Sequence, residues 1–127
     1  MLVPAGGDLF IVDSGHDRVL EMSRTGELIR MWGSSGSGNG QLKSPTAIAI
    51  ALGGNFWVSD SGNNRLVEFS LNGKFIRAVG GSGTTSGRFN DPRGIAASTA
   101  GNIYVADSGN HRIQVLSSVG KPVRLWT

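Results

Sequence analysis

The sequence predicts an all-β fold made of three similar units. First, the six-residue word DSGHDR at 13–18 returns as DSGNNR at 60–65 and as DSGNHR at 107–112, a step of 47 residues each time. Second, short apolar runs alternate with turns that contain Gly or Asn in every unit. Third, no segment has the apolar spacing of an amphipathic helix. A fixed period of this length is typical of repeat architectures.

The second unit, residues 34–80, shows which segment forms which element. After a loop rich in Gly and Ser, SPTAIAIAL (44–52) is an apolar run opened by a proline, which suits the first residue of a strand. NFWVSD (55–60), RLVEFS (65–70) and KFIRAVG (74–80) are further strands, because each is apolar or β-branched and bounded by turn residues. The turns between them are GG, SGNN and LNG. Such short turns make neighbouring strands antiparallel, so each unit is predicted to be a four-stranded meander.

The constant step divides the chain into three blades without insertions. The 127 residues fall 14 short of three periods of 47, and the missing stretch corresponds to residues 34–47 of the second unit. The chain is therefore expected to begin in an innermost strand at residues 2–3 and to end in an outermost strand at 123–126. The predicted blades are 1–33, 34–80 with its connecting loop, and 81–127 with a second connecting loop.

Several predicted strands are apolar on both faces, for example LFIV at 9–12 and FWV at 56–58. A sheet of this kind needs cover on both sides, which neighbouring sheets supply when four-stranded blades repeat around an axis as a β-propeller. Three blades do not close a ring and would leave two apolar faces in water. Two copies would give six blades, within the usual range of about four to eight. We therefore expect a homodimeric six-bladed propeller; the alternatives are an excised part of a longer propeller and an engineered chain.

The repeated word predicts one structural ion pair in each blade. Its Asp ends the second strand and its Arg begins the third, so a bidentate carboxylate–guanidinium pair would fix the hairpin. The Gly of each word is expected to supply the unusual backbone angle. Because each Asp has its own Arg, a metal or acid–base site made by the three Asp residues is disfavoured. The pairs are Asp13–Arg18, Asp60–Arg65 and Asp107–Arg112, and the glycines are Gly15, Gly62 and Gly109.

These motifs resemble the NHL repeat. The resemblance rests on GNIYVADSGNHRIQV (101–115), preceded by FNDPRGIA (89–96), and on LKSPTAIA and GNFWVSDSGNNRLVEF in the second unit; GDLFIVDSGHDRVLEM in the first unit is a weaker match. It covers essentially the whole chain and implies a propeller, most often with six blades. The resemblance implies a role among those of NHL propellers, which include protein and RNA binding in tripartite-motif proteins, sensing in bacterial receptor kinases, and lyase activity in peptidyl-amidoglycolate lyases.

Few residues indicate a chemical site. The candidates lie in the long loops and in the hairpins after the second strand, which are expected to share one face of the propeller. The two histidines fall in different blades, whereas a zinc site needs three or four converging ligands. No nucleophile elbow or phosphate loop is present, so we expect no catalytic residue, metal, cofactor or enzymatic activity. The candidate ligand-face residues are Lys43, Arg88, Arg93, His16 and His111.

Composition narrows the functional classes further. The chain has no cysteine, which excludes disulfides and thiolate metal sites. Its net charge of +3 is compatible with anionic partners without indicating them. No apolar run approaches the roughly 18–20 residues of a membrane span, so no membrane partner is expected. We expect a scaffold that closes a ring with a second copy and that takes a protein or peptide ligand. The alternatives are RNA binding by the loop cations and lyase activity.

Overall fold

The computed structural model describes residues 7–51 and 53–127, which form eleven β-strands and three single-turn 3₁₀ helices. Among these residues, no helix has the length and apolar character that crossing a membrane requires. The strands are β1 (Leu9–Asp13), β2 (Arg18–Met22), β3 (Leu28–Trp32), β4 (Ala47–Ile50), β5 (Phe56–Asp60), β6 (Arg65–Phe69), β7 (Phe75–Gly80), β8 (Pro92–Ala97), β9 (Ile103–Asp107), β10 (Arg112–Leu116) and β11 (Pro122–Trp126). The 3₁₀ turns are Ser14–His16, Ser61–Asn63 and Ser108–Asn110.

The strands form three antiparallel meanders, which confirms the all-β class. Strands β4 to β7 make one four-stranded sheet in chain order, and strands β8 to β11 make another. Strands β1 to β3 make a three-stranded sheet within the described residues. The innermost strand expected at residues 2–3 lies outside the part of the chain that the structure describes. We refer to the three sheets, in chain order, as blades one, two and three.

The turn after the second strand of each blade differs from the sequence prediction. Its left-handed residue is not the glycine but the residue just before the Arg, with φ between 53° and 54°. The glycine is needed instead because another backbone approaches it. A Cβ on Gly62 would lie 2.5 Å from the carbonyl oxygen of Lys43, and one on Gly109 would lie 2.7 Å from that of Asn90. The left-handed residues are Asp17, Asn64 and His111.

A core of aromatic and β-branched side chains joins blades one and two. Phe10 and Trp32 of blade one meet Phe56 and Phe69 of blade two, with ring centroids 4.4 Å apart for Phe10 and Phe56. All four side chains are buried. Such packing keeps the two sheets face to face, because separating them would return this apolar area to water.

A second core joins blades two and three. The indole of Trp57 and the side chain of Leu66 pack with Phe89, Ile103 and Leu116, and all five are at most 1% exposed. Trp57 follows Phe56 directly in β5, and successive strand residues point to opposite faces. The middle sheet is therefore buried on both faces, which explains why its strands carry apolar residues on both faces.

Trp57 is the largest of the fully buried side chains, and its replacement tests the second core. We expect Trp57→Ala to lower the free energy of unfolding by about 3–5 kcal/mol, because the cavity between blades two and three cannot be refilled. Ile76→Ala is the control, since Ile76 is 37% exposed, and it should change the value by no more than about 0.5 kcal/mol. Equal effects of the two substitutions in denaturant titrations would contradict this account of the core.

Candidate functional site

Connecting loops and 3₁₀ turns meet on one face of the blades, which we call the loop face. The loop at 34–46 packs on the turn of blade two, where the N–H of Gly62 donates to the carbonyl of Lys43 at 2.8 Å. The loop at 81–91 packs in the same way on blade three, where Gly109 donates to Asn90 at 2.8 Å. The two loops therefore have fixed positions, although they are rich in glycine and serine.

The ion pair of blade two holds its connecting loop. Arg65 Nε donates to Asp60 Oδ2 at 2.7 Å, and the backbone N–H of Lys43 donates to Asp60 Oδ1 at 2.7 Å. The Asp60 side chain is fully buried. The remaining guanidinium nitrogens of Arg65 donate to loop carbonyls rather than to the carboxylate, so the predicted bidentate geometry is wrong. The acceptors are the carbonyls of Ser37 (3.0 Å), Gly38 (3.1 Å) and Gln41 (2.8 Å).

Blade three repeats the arrangement contact for contact. Arg112 Nε donates to the fully buried Asp107 at 2.8 Å, and the N–H of Asn90 donates to the same carboxylate at 2.8 Å. We call this set of contacts, in which an Asp–Arg pair binds the connecting loop, the loop clasp. The carbonyls bound by Arg112 are those of Thr84 (2.6 Å), Thr85 (2.9 Å) and Arg88 (3.0 Å).

An asparagine completes each of these two clasps, and sequence reasoning missed it. Asn63 Nδ2 donates to Asp60 at 2.9 Å and to the carbonyl of Gly36 at 2.8 Å. Asn110 donates to Asp107 at 3.0 Å, and it also donates to a carbonyl of the connecting loop that packs on its own blade. The signal was present in the words DSGNNR and DSGNHR, which carry Asn at the same offset.

Serine hydroxyls tie neighbouring blades together beneath the loop face, which the sequence analysis also did not foresee. Ser14 donates to the carbonyl of Pro45 at 2.5 Å, and Ser61, one period later, donates to the carbonyl of Pro92. Ser59 adds a bond of 2.6 Å to the carbonyl of Arg93. These bonds link the second strand and the turn of one blade to the first residues of the next blade.

Blade one carries the same Asp–Arg pair in a different setting. Arg18 Nε donates to Asp13 at 2.9 Å, but its Nη1 lies 3.3 Å from the sulfur of Met31. His16 takes the place of the asparagine, and its Nδ1 lies 3.1 Å from each carboxylate oxygen of Asp13. The hydrogen bond from Arg18, followed by that from His16, lowers the pKa of Asp13 below its usual value.

The candidate residues fall into two groups on the loop face. Hydrogen bonds from the Ser35 hydroxyl and the Ser44 N–H, each 2.7 Å long, are the main cause that lowers the pKa of Asp17. Lys43 and His16 also lie close enough to interact with the charge of Asp17. A cavity of about 380 Å³ opens at this point. Its lining is Asp17, Ser35, Gly36, Ser37, Lys43 and Asn63.

The other candidates belong to the connecting loop, the first strand and the turn of blade three. Arg93 pairs with Asp91 at 2.9 Å, which reduces the positive charge available to a ligand. Arg88 is exposed, and its carbonyl belongs to the clasp of blade three. His111 is exposed at the left-handed position of its turn. Within the described residues, no three His, Cys, Asp or Glu side chains are placed to hold a metal ion.

Comparison with known proteins identifies the class of fold and one repeat. Among solved structures, the chain is similar to a streptogramin B lyase (TM-score 0.75, 16% identity, 96% of this chain and 38% of that chain). It is also similar to the virginiamycin B lyase from Staphylococcus aureus (0.72, 14%, 96% and 38%) and to an auxiliary nutrient binding protein from Bacteroides thetaiotaomicron (0.70, 17%, 89% and 35%). The sheets are blades of the β-propeller class. Residues 89–116, which include strands β8 to β10 of blade three, match the NHL repeat.

These likenesses also limit and correct the sequence predictions. The chain spans less than two fifths of the length of these structures. No curated protein matches it. Our expectation that the chain has no enzymatic activity is wrong as an inference from missing motifs, because a similar fold occurs in lyases, which are enzymes. The physical reason is that a propeller collects its site from separate blades, which no contiguous motif records.

The clasp of blade three predicts a dependence of stability on pH. Burial opposes ionisation of Asp107, but hydrogen bonds from Asn90, Asn110, Arg112 and Gln114 outweigh it and lower its pKa. The resulting stabilisation is present above the unfolded pKa of about 4 and is lost as the pH falls through the lower folded value. We expect Asp107→Asn to cost about 3 kcal/mol at pH 7 and to flatten the acid limb of the stability profile. An acid limb of unchanged slope in the variant would contradict this assignment.

Proposed function

We propose that this chain supplies three blades of a six-bladed propeller ring, which two copies close, and that the loop face of the ring binds a protein or peptide. The observation that carries the proposal is the chemistry of the two outer sheet faces. Each outer face is built from the same repeat positions as a face that is buried between blades inside the chain. In the ring, the outer face of blade one would therefore meet the outer face of blade three of the other copy, and this contact would occur twice.

The open face of blade one matches the face by which blade two packs on blade one. Phe10 and Val12 point toward blade two, so the alternate residues of β1 point away from it. Leu28 of blade one and Phe75 of blade two hold the same repeat position, but they differ in exposure. Leu28 is 53% exposed, whereas Phe75 is partly buried against the core. The open face consists of Leu9, Ile11, Leu20, Met22 and Leu28, which correspond to Phe56, Val58, Val67, Phe69 and Phe75.

The open face of blade three matches the faces by which blades one and two contact their successors. Tyr104 and Trp126 pack together on this face with ring centroids 5.8 Å apart. Trp126 is 50% exposed, whereas Trp32, at the same position of blade one, is 9% exposed. An apolar depression of about 220 Å³ lies beside Tyr104. A second copy would bury this surface as blade two buries Trp32.

A glycine of blade one leaves the space that Trp126 would need. Inside the chain, the glycine in the last turn of each following blade receives a side chain of the preceding blade. A Cβ on Gly73 would lie 2.7 Å from the indole of Trp32, and one on Gly120 would lie 2.8 Å from Val79. Gly26 holds the same position in blade one, and no described atom lies within 4 Å of such a Cβ. In the proposed ring, Trp126 of a second copy lies over Gly26.

Light scattering tests the ring. We expect a mass of twice 13.3 kDa, and we expect Trp126→Asp to weaken the dimer at least tenfold, because the variant places a charge in the seam. Val123→Asp is the matched control: Val123 lies on the same strand and is 48% exposed. Its counterpart Ile76 is exposed even in the middle blade, so this position lies outside the blade contacts. A stable monomer of the unmodified chain would contradict the proposal.

RNA is the alternative ligand of the loop face. Lys43, Arg88 and Arg93 are exposed there and would number six in the ring. The pairing of Arg93 with Asp91 favours a protein or peptide over RNA, because phosphate binding depends on unpaired cations. Retention on RNA that falls steeply with salt would favour RNA instead.

A second candidate function is proton abstraction on the loop face, which one local arrangement favours. His16 Nδ1 contacts the Asp13 carboxylate, and 70% of the histidine side chain is exposed. A carboxylate that orients an imidazole and leaves its Nε2 accessible is the usual arrangement of a general base. Elimination by a lyase requires such a base, and the likeness to the streptogramin and virginiamycin lyases makes this chemistry the one to test.

Quinupristin, which is bound to one of the similar lyase structures, is the substrate to try. If the candidate is correct, mass spectrometry and chromatography will detect conversion at neutral pH. His16→Gln should slow conversion at least about 100-fold, the usual contribution of a general base. His111→Gln is the control, since His111 lies in another blade and is also exposed to solvent. Absence of conversion by the unmodified chain over a day would count against this candidate.

A further inference from the structure

Blade one contains the residues of a loop clasp without a loop among the described residues. In blades two and three, the Asp, Gly and Arg of the repeated word all contact a connecting loop. In blade one, Asp13, Gly15 and Arg18 have no such contact within the part of the chain that the structure describes. We propose that these three residues form a receptor for a third connecting loop, of the Gly- and Ser-rich class found at 34–46.

The exposure of the ion pair supports a receptor that is built but not filled by the described residues. The Asp side chain is fully buried in blades two and three, whereas that of Asp13 is 24% exposed. The Arg side chain is 14% and 8% exposed in blades two and three, but Arg18 is 33% exposed. Arg18 places one nitrogen near the sulfur of Met31, a weak acceptor, where Arg65 and Arg112 bind carbonyl oxygens.

The glycine of the word points to the same ligand independently. A Cβ on Gly62 or Gly109 would collide with the backbone of the loop that lies over it. A Cβ on Gly15 would meet no described atom within 4 Å. The φ of Gly15 is also not in the left-handed range, so neither local sterics nor backbone conformation of the described residues requires glycine there. An approaching loop backbone would require it.

The chemistry of the receptor defines what it binds. In each filled clasp, the Arg binds three loop carbonyls, which precede it by 28, 27 and 24 residues, and the Asp binds one loop N–H. Each loop also buries one apolar anchor completely, Leu42 in the first loop and Phe89 in the second. The ligand is therefore a glycine-rich segment with three carbonyls toward Arg18, one N–H toward Asp13 and one apolar anchor.

This inference rests on the proposed ring in one respect, since the loop would cross the seam between blade three of one copy and blade one of the other. Ser108 and His111 of blade three support such a crossing. Their counterparts in blade two, Ser61 and Asn64, bind the start of the following blade through the carbonyl of Pro92 and the N–H of Asp91. Ser108 and His111 have no contact of this kind among the described residues. The receptor itself lies within blade one, so its occupation can be measured with or without ring closure.

The test adds the loop to the chain and blocks the receptor with a single methyl group. Because Met1 aligns with Ile48, the sequence of residues 34–47 is placed directly before Met1. We expect this extension to raise the midpoint of thermal unfolding by at least about 5 °C. Gly15→Ala should cancel the gain in the extended chain, yet shift the midpoint of the unextended chain by no more than about 1 °C. The four proteins form a double-mutant cycle, which isolates the contact.

Two further variants keep the result interpretable. Arg18→Gln, which keeps most of the side-chain length but loses the guanidinium donors, should also cancel the gain. Lys74→Ala, in a turn on the opposite side of blade two, should leave it unchanged. An extension without effect, or one that stabilises the Gly15→Ala chain equally, overturns the proposal. Light scattering on the same samples decides the ring separately: a monomer stabilised in a Gly15-dependent way refutes ring closure and supports the receptor.

Discussion

A carboxylate buried beneath each connecting loop is the constraint on which the loop face depends. Asp60 and Asp107 are fully buried, and a buried charge is tolerated only with several well-placed donors. Those donors come from three places far apart in sequence: the loop backbone, the turn asparagine and the Arg of the third strand. One ionised group therefore fixes the end of a strand, the shape of a turn and the path of a loop that has almost no apolar content of its own.

The repeat also makes each blade dependent on its neighbours. The middle sheet has aromatic residues on both faces, with Phe56 in one core and Trp57 in the other. Such a blade cannot be stable alone, because both of its apolar faces would be in water. Architectures of this kind gain stability mainly from the contacts between adjacent units. The outer faces of blades one and three carry apolar residues at repeat positions that are buried in the middle blade.

Two columns of the repeat vary in the turns of the loop face. The fourth position of the repeated word holds Asn63 and Asn110 in two blades but His16 in the first. The left-handed column holds Asp17, Asn64 and His111, all of which tolerate positive φ. Constant residues maintain the scaffold while these substitutions change charge and proton affinity on one face. A fold of this kind occurs both in lyases and in a nutrient binding protein, so a search for local motifs cannot decide between such functions.

The sequence by itself determined the period, the strands and the partners of each Asp–Arg pair, because these follow from local patterns repeated at 47 residues. The strands of blade two begin and end no more than three residues from their predicted bounds. Only the tertiary structure decided that the Arg binds the loop, that the backbone of the loop leaves no room for a side chain at Gly62 and that Asn64 takes the left-handed conformation. These features depend on atoms that are distant along the chain and close in space. A pattern of residue types does not contain those distances until the sheets are packed.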